Sequence, residues 1–393
     1  MSDALEVALA WSSRLATHVD RTWFDAVDPA WLPAGLSTAL ERGRIGETVR
    51  AELAAGTIVP AFEPSLVRTL PETSFRRIRL GDAWIEPRVG RFYPRSLLSG
   101  VPEAAPGDQR PFRCIGREGG SIVVDLNHPL CAVLLRAELT RRQPMRPASP
   151  LPSRFDPLEL AAAGGPGLQA APERGDTDFH AAAPFARQDE ADDRAFYAGA
   201  RLTDHLDAVA LDRLRGIHRR FLRPGMRVLD LMSSVNSHLP EEIAPLEVTG
   251  LGMNEPELLR NPRLAERVVH DLNRNPSLPF ADGRFDTALC TVSVEYLIRP
   301  VEVFREVRRI LRAGAPFVLS FSERWFPPKV IRIWTELHPY ERLGLVLDWL
   351  HRAGGFAGLG TESLRGLPRP ADDKYAGLTR RSDPLYCAWG LAA

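Results

Sequence analysis

Lysine is nearly missing from this chain: among its 50 basic residues only Lys329 and Lys374 are lysines, and the rest are arginines. So thin a supply argues against Schiff-base chemistry, and the arginine bias reads as compositional rather than as selection for anion binding. An excess of either charge is also lacking, since 50 acidic side chains balance the 50 basic ones. A protein built to grip nucleic acid or an anionic membrane carries a basic surplus, so neither partner is expected. Cysteine is sparse and scattered (Cys114, Cys131, Cys290, Cys387), with no CxxC pair and no Cys/His cluster at zinc spacing. That pattern suits neither a disulfide framework nor a metal site, and no metal is expected. No stretch approaches the ~18 consecutive apolar residues of a membrane span. The first twenty residues lack the basic-then-apolar order of a secretory signal. A soluble, cytoplasmic protein is the expectation, and no internal repeat is visible.

What the chain does have is material for two cores. Its 393 residues are 44% hydrophobic and 25% charged, which excludes wholesale disorder and fits two domains. Proline concentrates at 141–157, RRQPMRPASPLPSRFDP, a run unsuited to a helix interior or a central strand and read as a linker. Residues 158–193, rich in Ala and Gly, read as an irregular segment. Residues 1–140 read as a small, β-rich domain with a helix over 3–19, on the spacing of Leu5, Leu9, Leu15 and Val19. Its Ser121–Asp125 run follows two glycines, as a strand after a turn. The apolar run 133–139 suits a second strand or a short helix. Residues 194–393 alternate in the α/β manner. A helix over 206–221 precedes strands at 227–231, 247–251, 267–270 and 285–292. A helix over 300–311 and a strand over 316–321 follow. That order implies a doubly wound parallel sheet with helices on both faces and ligands at the carboxyl ends of the strands.

The first of these strands runs into Asp230-Leu-Met-Ser-Ser-Val-Asn-Ser-His-Leu-Pro240. No G-x-G-x-x-G is present, which disfavours a nicotinamide or flavin dehydrogenase. There remain an acid at the strand end and a loop of small residues (Ser233, Ser234, Ser237) whose hydroxyls add donors. Three further features follow: Asp271 after the third strand, LPFADGRFD at 278–286 and RRILRAG at 308–314. With VLDL at 228–231, this series resembles the class I S-adenosylmethionine-dependent methyltransferases of the type 11 kind, over roughly residues 194–393.

The resemblance implies a Rossmann-like methyltransferase sheet, S-adenosyl-L-methionine as cofactor, and a role for each matching position. Asp230 would sit near the cationic amino group of the donor, and the loop of Met232, Ser233 and Ser234 beneath it. Gly252, Met253 and Asn254 would face the ribose, Asp271 and Leu272 the adenine, and Thr291 the methyl end. Two departures stand out: the glycine-rich loop has become Met232-Ser-Ser-Val-Asn-Ser237, and the ribose-binding acid aligns with Gly252. Asn254 or Glu255 is the expected substitute. The runs MSSVNSHLP, GLGMNEPELLRNP and CTVSVEYL also resemble a subgroup of methyltransferase-like proteins in bacteria and plants. That likeness implies an ordered lid over 165–193, with Tyr197, Arg201 and His205 above the donor. Tyr197, His205, His238 and Tyr296 are the candidate catalytic residues, able to orient or deprotonate an acceptor, while Cys290 reads as core.

In the first domain, ERGRIGE at 41–47, VPAFEPSLVRTLP at 59–71 with Phe75, PRVGRF at 87–92 and VVDLNHPL at 123–130 resemble the SlyD-like branch of FKBP-type prolyl isomerases, over about 40–140. The pocket-lining tract of that family has become Pro60-Ala-Phe-Glu-Pro64, residues 1–40 read as helix and loop instead of its opening strands, and the histidine-rich tail is absent. The likeness therefore implies a degenerate module without isomerase activity, with His128 as a turn residue. Three functions stay open at this point. They are methyl transfer to a small acceptor such as a thiol or sulfide, methyl transfer to a protein recruited by the first domain, and a non-catalytic scaffold with a decayed donor site.

Overall fold

The computed structural model describes residues 3–81, 83–145, 156–179 and 183–393. Most of the expected linker, residues 146–155, lies outside them. Compactness divides the chain into two units, Met1–Pro184 with Glu336–Leu345, and Phe185–Thr335 with Val346–Ala393.

The first unit opens not with a helix over 3–19 but with a hairpin, β1 (Ala4–Ser12) and β2 (Thr17–Phe24), paired antiparallel from Leu5↔Phe24 to Ser12↔Thr17. A four-residue spacing such as Leu5 to Leu9 satisfies both periods. The deciding pattern is Leu5, Val7, Leu9 and Trp11, all buried, which is the alternation of a strand. Helix α1 (Ala34–Arg42) and β3 (Thr48–Leu53) follow. Short strands come next: β4 (Val67–Pro71), β5 (Ile78–Leu80), β6 (Ala83–Ile85), β7 (Phe92–Pro94), β8 (Pro111–Glu118), β9 (Ser121–Asp125) and β10 (Leu135–Arg142). Strands β2-β1-β10-β3 form one antiparallel array, and β4-β9-β8-β7 a second sheet. The expected irregular segment begins as a capped helix, α2 (Pro157–Ala163), with Asp156 accepting from the Leu158 amide. Its Leu158, Ala161 and Ala162 join β1 and α1 in one apolar core. The turn after β9 is fastened through Asn127, whose amide accepts from Glu63 N (2.8 Å) and donates to Glu63 O (3.0 Å). His128 accepts from the Leu130 amide at 3.1 Å, as a turn residue does. Segment 336–345 is held by a buried Arg91–Glu341 ion pair (3.2 Å), with Glu341 also accepting from Phe92 N.

The second unit begins with α3 (Asp193–Tyr197) and α4 (Ala208–Arg219) and then alternates. Its strands are β11 (Arg227–Leu231), β12 (Glu247–Gly252), β13 (Glu266–Val269), β14 (Thr287–Thr291), β15 (Pro316–Phe321), β16 (Phe356–Arg365) and β17 (Leu385–Ala392). Between them lie α5 (Glu255–Arg260), α6 (Pro300–Ile310), α7 (Arg332–Glu336) and, from Val346 onward, the second half of α8 (Pro339–Ala353). The order β13-β12-β11-β14-β15-β17-β16 is parallel through β15 and antiparallel at its last two pairings. The central strands are short apolar runs buried on both faces (Val228, Leu229, Ala288, Leu289, Phe317, Val318), as a covered parallel sheet requires. Helix α6 starts at Pro300, where the missing amide proton costs nothing, and turns Val303, Phe304, Val307 and Ile310 inward. Strand order reverses between β11 and β14. That switch point is where the loops after the two strands diverge and leave a crevice. Among the described residues, no helix is long and apolar enough to cross a membrane.

Candidate functional site

One cavity at the carboxyl ends of β11, β12, β13 and β14 gathers the candidate residues read from the sequence, except Ser237 and Glu255. Tyr197, His205, His238 and Tyr296 line it together with Asp230, Met232, Ser233, Ser234, Gly252, Met253, Asn254, Asp271, Leu272 and Thr291. Residues far apart in the sequence thus meet in one hollow, because parallel strands end on the same side.

The loop after β11 is held by side chains where a glycine loop would rely on backbone freedom. Ser233 and Ser237 donate to the same oxygen of Asp230, at 2.5 and 2.7 Å. Ser234 donates to Glu257 at 2.7 Å. Asn261, fully buried, donates to the Ser234 carbonyl (2.9 Å) and to Ser237 Oγ (3.0 Å). The serine hydroxyls are therefore not donors for a ligand, as the sequence suggested. Buried polar groups take partners, and these find theirs within the protein. Met232 still adopts the left-handed backbone natural to glycine (φ 59°), as do His238 (φ 50°) and Val292 (φ 47°). For a β-branched residue such as Val292 that conformation is strained, and three such residues around one cavity mark a place where shape outweighs local comfort.

Burial raises the Asp230 carboxyl from 3.8 to about 6, although the two serine hydroxyls pull the other way. Asp271 accepts from the amides of Asn273 (3.0 Å) and Arg274 (3.1 Å) through one oxygen, closing the turn after β13. It is both a strand-end cap and a cavity wall. Burial lowers His238 to about 4 and holds His205 below its usual value, so both rings are neutral near pH 7. The Tyr197 and Tyr296 phenols are pushed up by burial and stay protonated. Tyr296 accepts from the Phe326 amide (2.9 Å) and stacks on that ring, which places it as a wall rather than a base.

Three buried polar atoms on cavity-lining residues have no hydrogen-bond partner among the described residues: Tyr197 Oη, His238 Nδ1 and Thr291 Oγ1. Such groups are costly unless something else satisfies them. Asn254, expected as a ribose contact, is instead spent on structure. It caps α5 by accepting from Glu257 N (3.0 Å) and donates to the carbonyls of Tyr197 (2.7 Å) and Ala198 (3.2 Å). Glu255 is exposed and does not line the cavity.

Reading the sequence missed Asp193, Glu257, Asn273 and Phe326, which also line the hollow. Asp193 is buried and held by Arg187 (2.7 Å), Lys329 (3.1 Å) and Asn273 (2.9 Å). Lys329, with no exposed surface, also donates to the carbonyls of Asp189 and Ala191. This cluster fastens residues 187–193, just before Tyr197. The Asn-x-x-Glu spacing at 254–257 announces a capped helix start, but nothing in it announces a cavity wall. Arg201 stacks over Phe196 (4.6 Å) and Phe326 (4.8 Å).

Residues 236–319 match a family model described as a methyltransferase domain. No curated protein matches the chain. Among solved structures it is similar to the [4+2]-cyclase SpnF, at 16% identity over 46% of this chain and 82% of that one (TM-score 0.33). It is similar to the YcgJ protein of Bacillus subtilis, at 16% identity over 47% and 97% (TM-score 0.33). A third likeness is to a SAM-dependent methyltransferase of Aquifex aeolicus, at 14% identity over 48% and 99% (TM-score 0.30). Overlap this slight supports no conclusion about activity. The domain match begins at Asn236, after β11 and most of its serine loop, and covers β12, β13, β14 and most of β15 with the loops that wall one side of the cavity; it supports S-adenosyl-L-methionine as the cofactor of this site.

Proposed function

We propose that the second unit transfers a methyl group to a small acceptor bearing a soft nucleophile, a thiol or sulfide. The carrying observation is the cavity itself, with three buried polar atoms left for a ligand to satisfy. Its donor set suits S-adenosyl-L-methionine. Asp230 offers a carboxylate to the donor's ammonium group, and Asp271 keeps an oxygen free for the adenine amine. When bound, the cofactor would supply an electrophilic sulfonium methyl, which passes to an in-line nucleophile while S-adenosylhomocysteine leaves. Methyl transfer of this kind needs alignment and exclusion of water more than a strong base. The residues match that need. Tyr197 and Tyr296 are neutral walls, Thr291 Oγ1 closes the end of β14, and His205 and His238 are neutral imidazoles able to take a proton. A thiol acceptor, with a pKa of about 8.5, is already partly thiolate near neutral pH, so the site need not hold a strong base. The four cysteines are free and buried, in keeping with a reducing, cytoplasmic compartment.

We further propose that the first unit is a degenerate SlyD-like module that no longer isomerises proline. Support comes from the Asn127 clasp, which binds the altered Pro60–Pro64 tract to the Asn-His-Pro-Leu turn. Calorimetric titration with S-adenosyl-L-methionine tests the first reading, and no binding at millimolar ligand would end it. Proline-limited refolding tests the second, where strong acceleration would contradict the loss of activity.

A further inference from the structure

In doubly wound sheets that bind nucleosides, an acidic residue after the second strand accepts hydrogen bonds from the ribose hydroxyls. Here β12 ends in Gly252, and the position has no room for a side chain: a Cβ there would lie 2.3 Å from the Ser233 carbonyl oxygen and 3.2 Å from Leu258. The serine loop has taken the space. Asn254 has its amide engaged on both sides, and Glu255 points to solvent.

Glu257 lines the cavity from the first turn of α5. One of its oxygens accepts from Ser234 Oγ and the other from the Arg201 amide, both at 2.7 Å. A carboxylate offers about four acceptor sites, so each oxygen keeps capacity for one more donor. Two vicinal hydroxyls are the ligand group that supplies two donors side by side. The other cavity carboxylates are less suited: Asp204 is exposed and its one side-chain hydrogen bond, from Asn236, is long at 3.4 Å. Asp193 is consumed by Arg187, Lys329 and Asn273, Asp230 sits at the serine loop, and Asp271 belongs to the turn after β13.

We propose that Glu257 is the ribose-binding residue, moved from the strand end to the first turn of the following helix. This rests on the adenosyl-donor reading above. Because the same carboxylate holds the Arg201 amide, ribose binding also steadies the stretch that carries Tyr197, Arg201 and His205.

The test compares dissociation constants for adenosine and 2′,3′-dideoxyadenosine, on the intact chain and on Glu257→Gln. The intact chain should prefer adenosine by between about ten- and a hundredfold, the worth of hydrogen bonds to a charged acceptor. Glu257→Gln should shrink that preference to about twofold or less, with dideoxyadenosine affinity little changed. If the amide variant does not fold, Glu257→Asp, which keeps the charge but withdraws it by one methylene, should show the same loss. A preference that survives in the variants overturns the assignment in favour of another acid, Asp204 being next in line. Adenosine bound no better than its dideoxy analogue by the intact chain also overturns it while leaving the donor reading intact. Failure of either nucleoside, and of S-adenosylhomocysteine, to bind at all refutes both.

Discussion

Asp230→Asn separates stability from function at one atom. The buried carboxyl has its pKa raised to about 6 from the ordinary 3.8, so the folded chain holds this proton more tightly than the unfolded one. Stability from this group is therefore complete below pH 4 and drains away as pH rises through 6. A rise of that size corresponds to roughly 3 kcal/mol lost at pH 8 and well under 1 kcal/mol at pH 4. An asparagine keeps an acceptor for Ser233 and Ser237 and never ionises. The variant should thus gain roughly 3 kcal/mol over the native chain at pH 8 and almost nothing at pH 4, read from urea midpoints of the second unit at the two pH values. Donor binding should move the opposite way, since the variant offers the ammonium group no charge. On the native chain, S-adenosyl-L-methionine affinity should rise as pH climbs through 6 and level off above 7. Titrations near pH 6 in buffers of different ionisation enthalpy should show proton release. Equal stabilisation at both pH values would refute the burial argument, and a pH-independent donor affinity would remove Asp230 from the ammonium site.

Other perturbations follow from the same geometry. Gly252→Ala forces a methyl onto the Ser233 carbonyl, and overpacking of this kind should cost about 1–3 kcal/mol and weaken donor binding; a neutral change in melting temperature would contradict the 2.3 Å approach. Lys329→Met strips a buried cation from Asp193 and from the carbonyls of Asp189 and Ala191. The loss should be about 3–5 kcal/mol, with faster proteolysis within 187–197, and unchanged cleavage there would show that the cluster does not hold the segment. Because His238 is pushed down to about 4 by burial, His238→Gln should leave the pH profile of donor binding above pH 6.5 unshifted. A step near pH 7 that vanishes in this variant would place a charged imidazole in the site.

What was legible in the sequence, and what was not, divides along a physical line. The five strands from Arg227 to Phe321 and helix α6 could be read because covered parallel strands are unbroken apolar runs and a helix repeats every three to four residues, whereas α5 (Glu255–Arg260) is too short to show that period. The cavity followed, since strand ends in such a sheet point to one rim whatever the loops contain. The hairpin at 4–24 was misread as a helix because Leu5 and Leu9 satisfy two periods at once, and only the buried Val7 and Trp11 between and beyond them decide.

The deeper miss concerned what the serines do. Small polar residues in place of glycines looked like extra ligand donors, yet Ser233 and Ser237 are bound to Asp230, and Ser234 to Glu257. A glycine loop gets its shape from backbone freedom; here Met232 takes the left-handed conformation at a cost of about 1–2 kcal/mol, and side-chain hydrogen bonds hold the turn instead. That exchange has a consequence at Gly252. With the loop drawn down by Asp230, its Ser233 carbonyl occupies the space over the end of β12 where an acid would otherwise stand. The serine loop and the bare glycine at the end of β12 are then two sides of one arrangement. Gly252→Asp should be tolerated better when combined with Ser233→Gly and Ser234→Gly than when made alone; equal destabilisation in both backgrounds, by urea titration, would show the two departures to be independent.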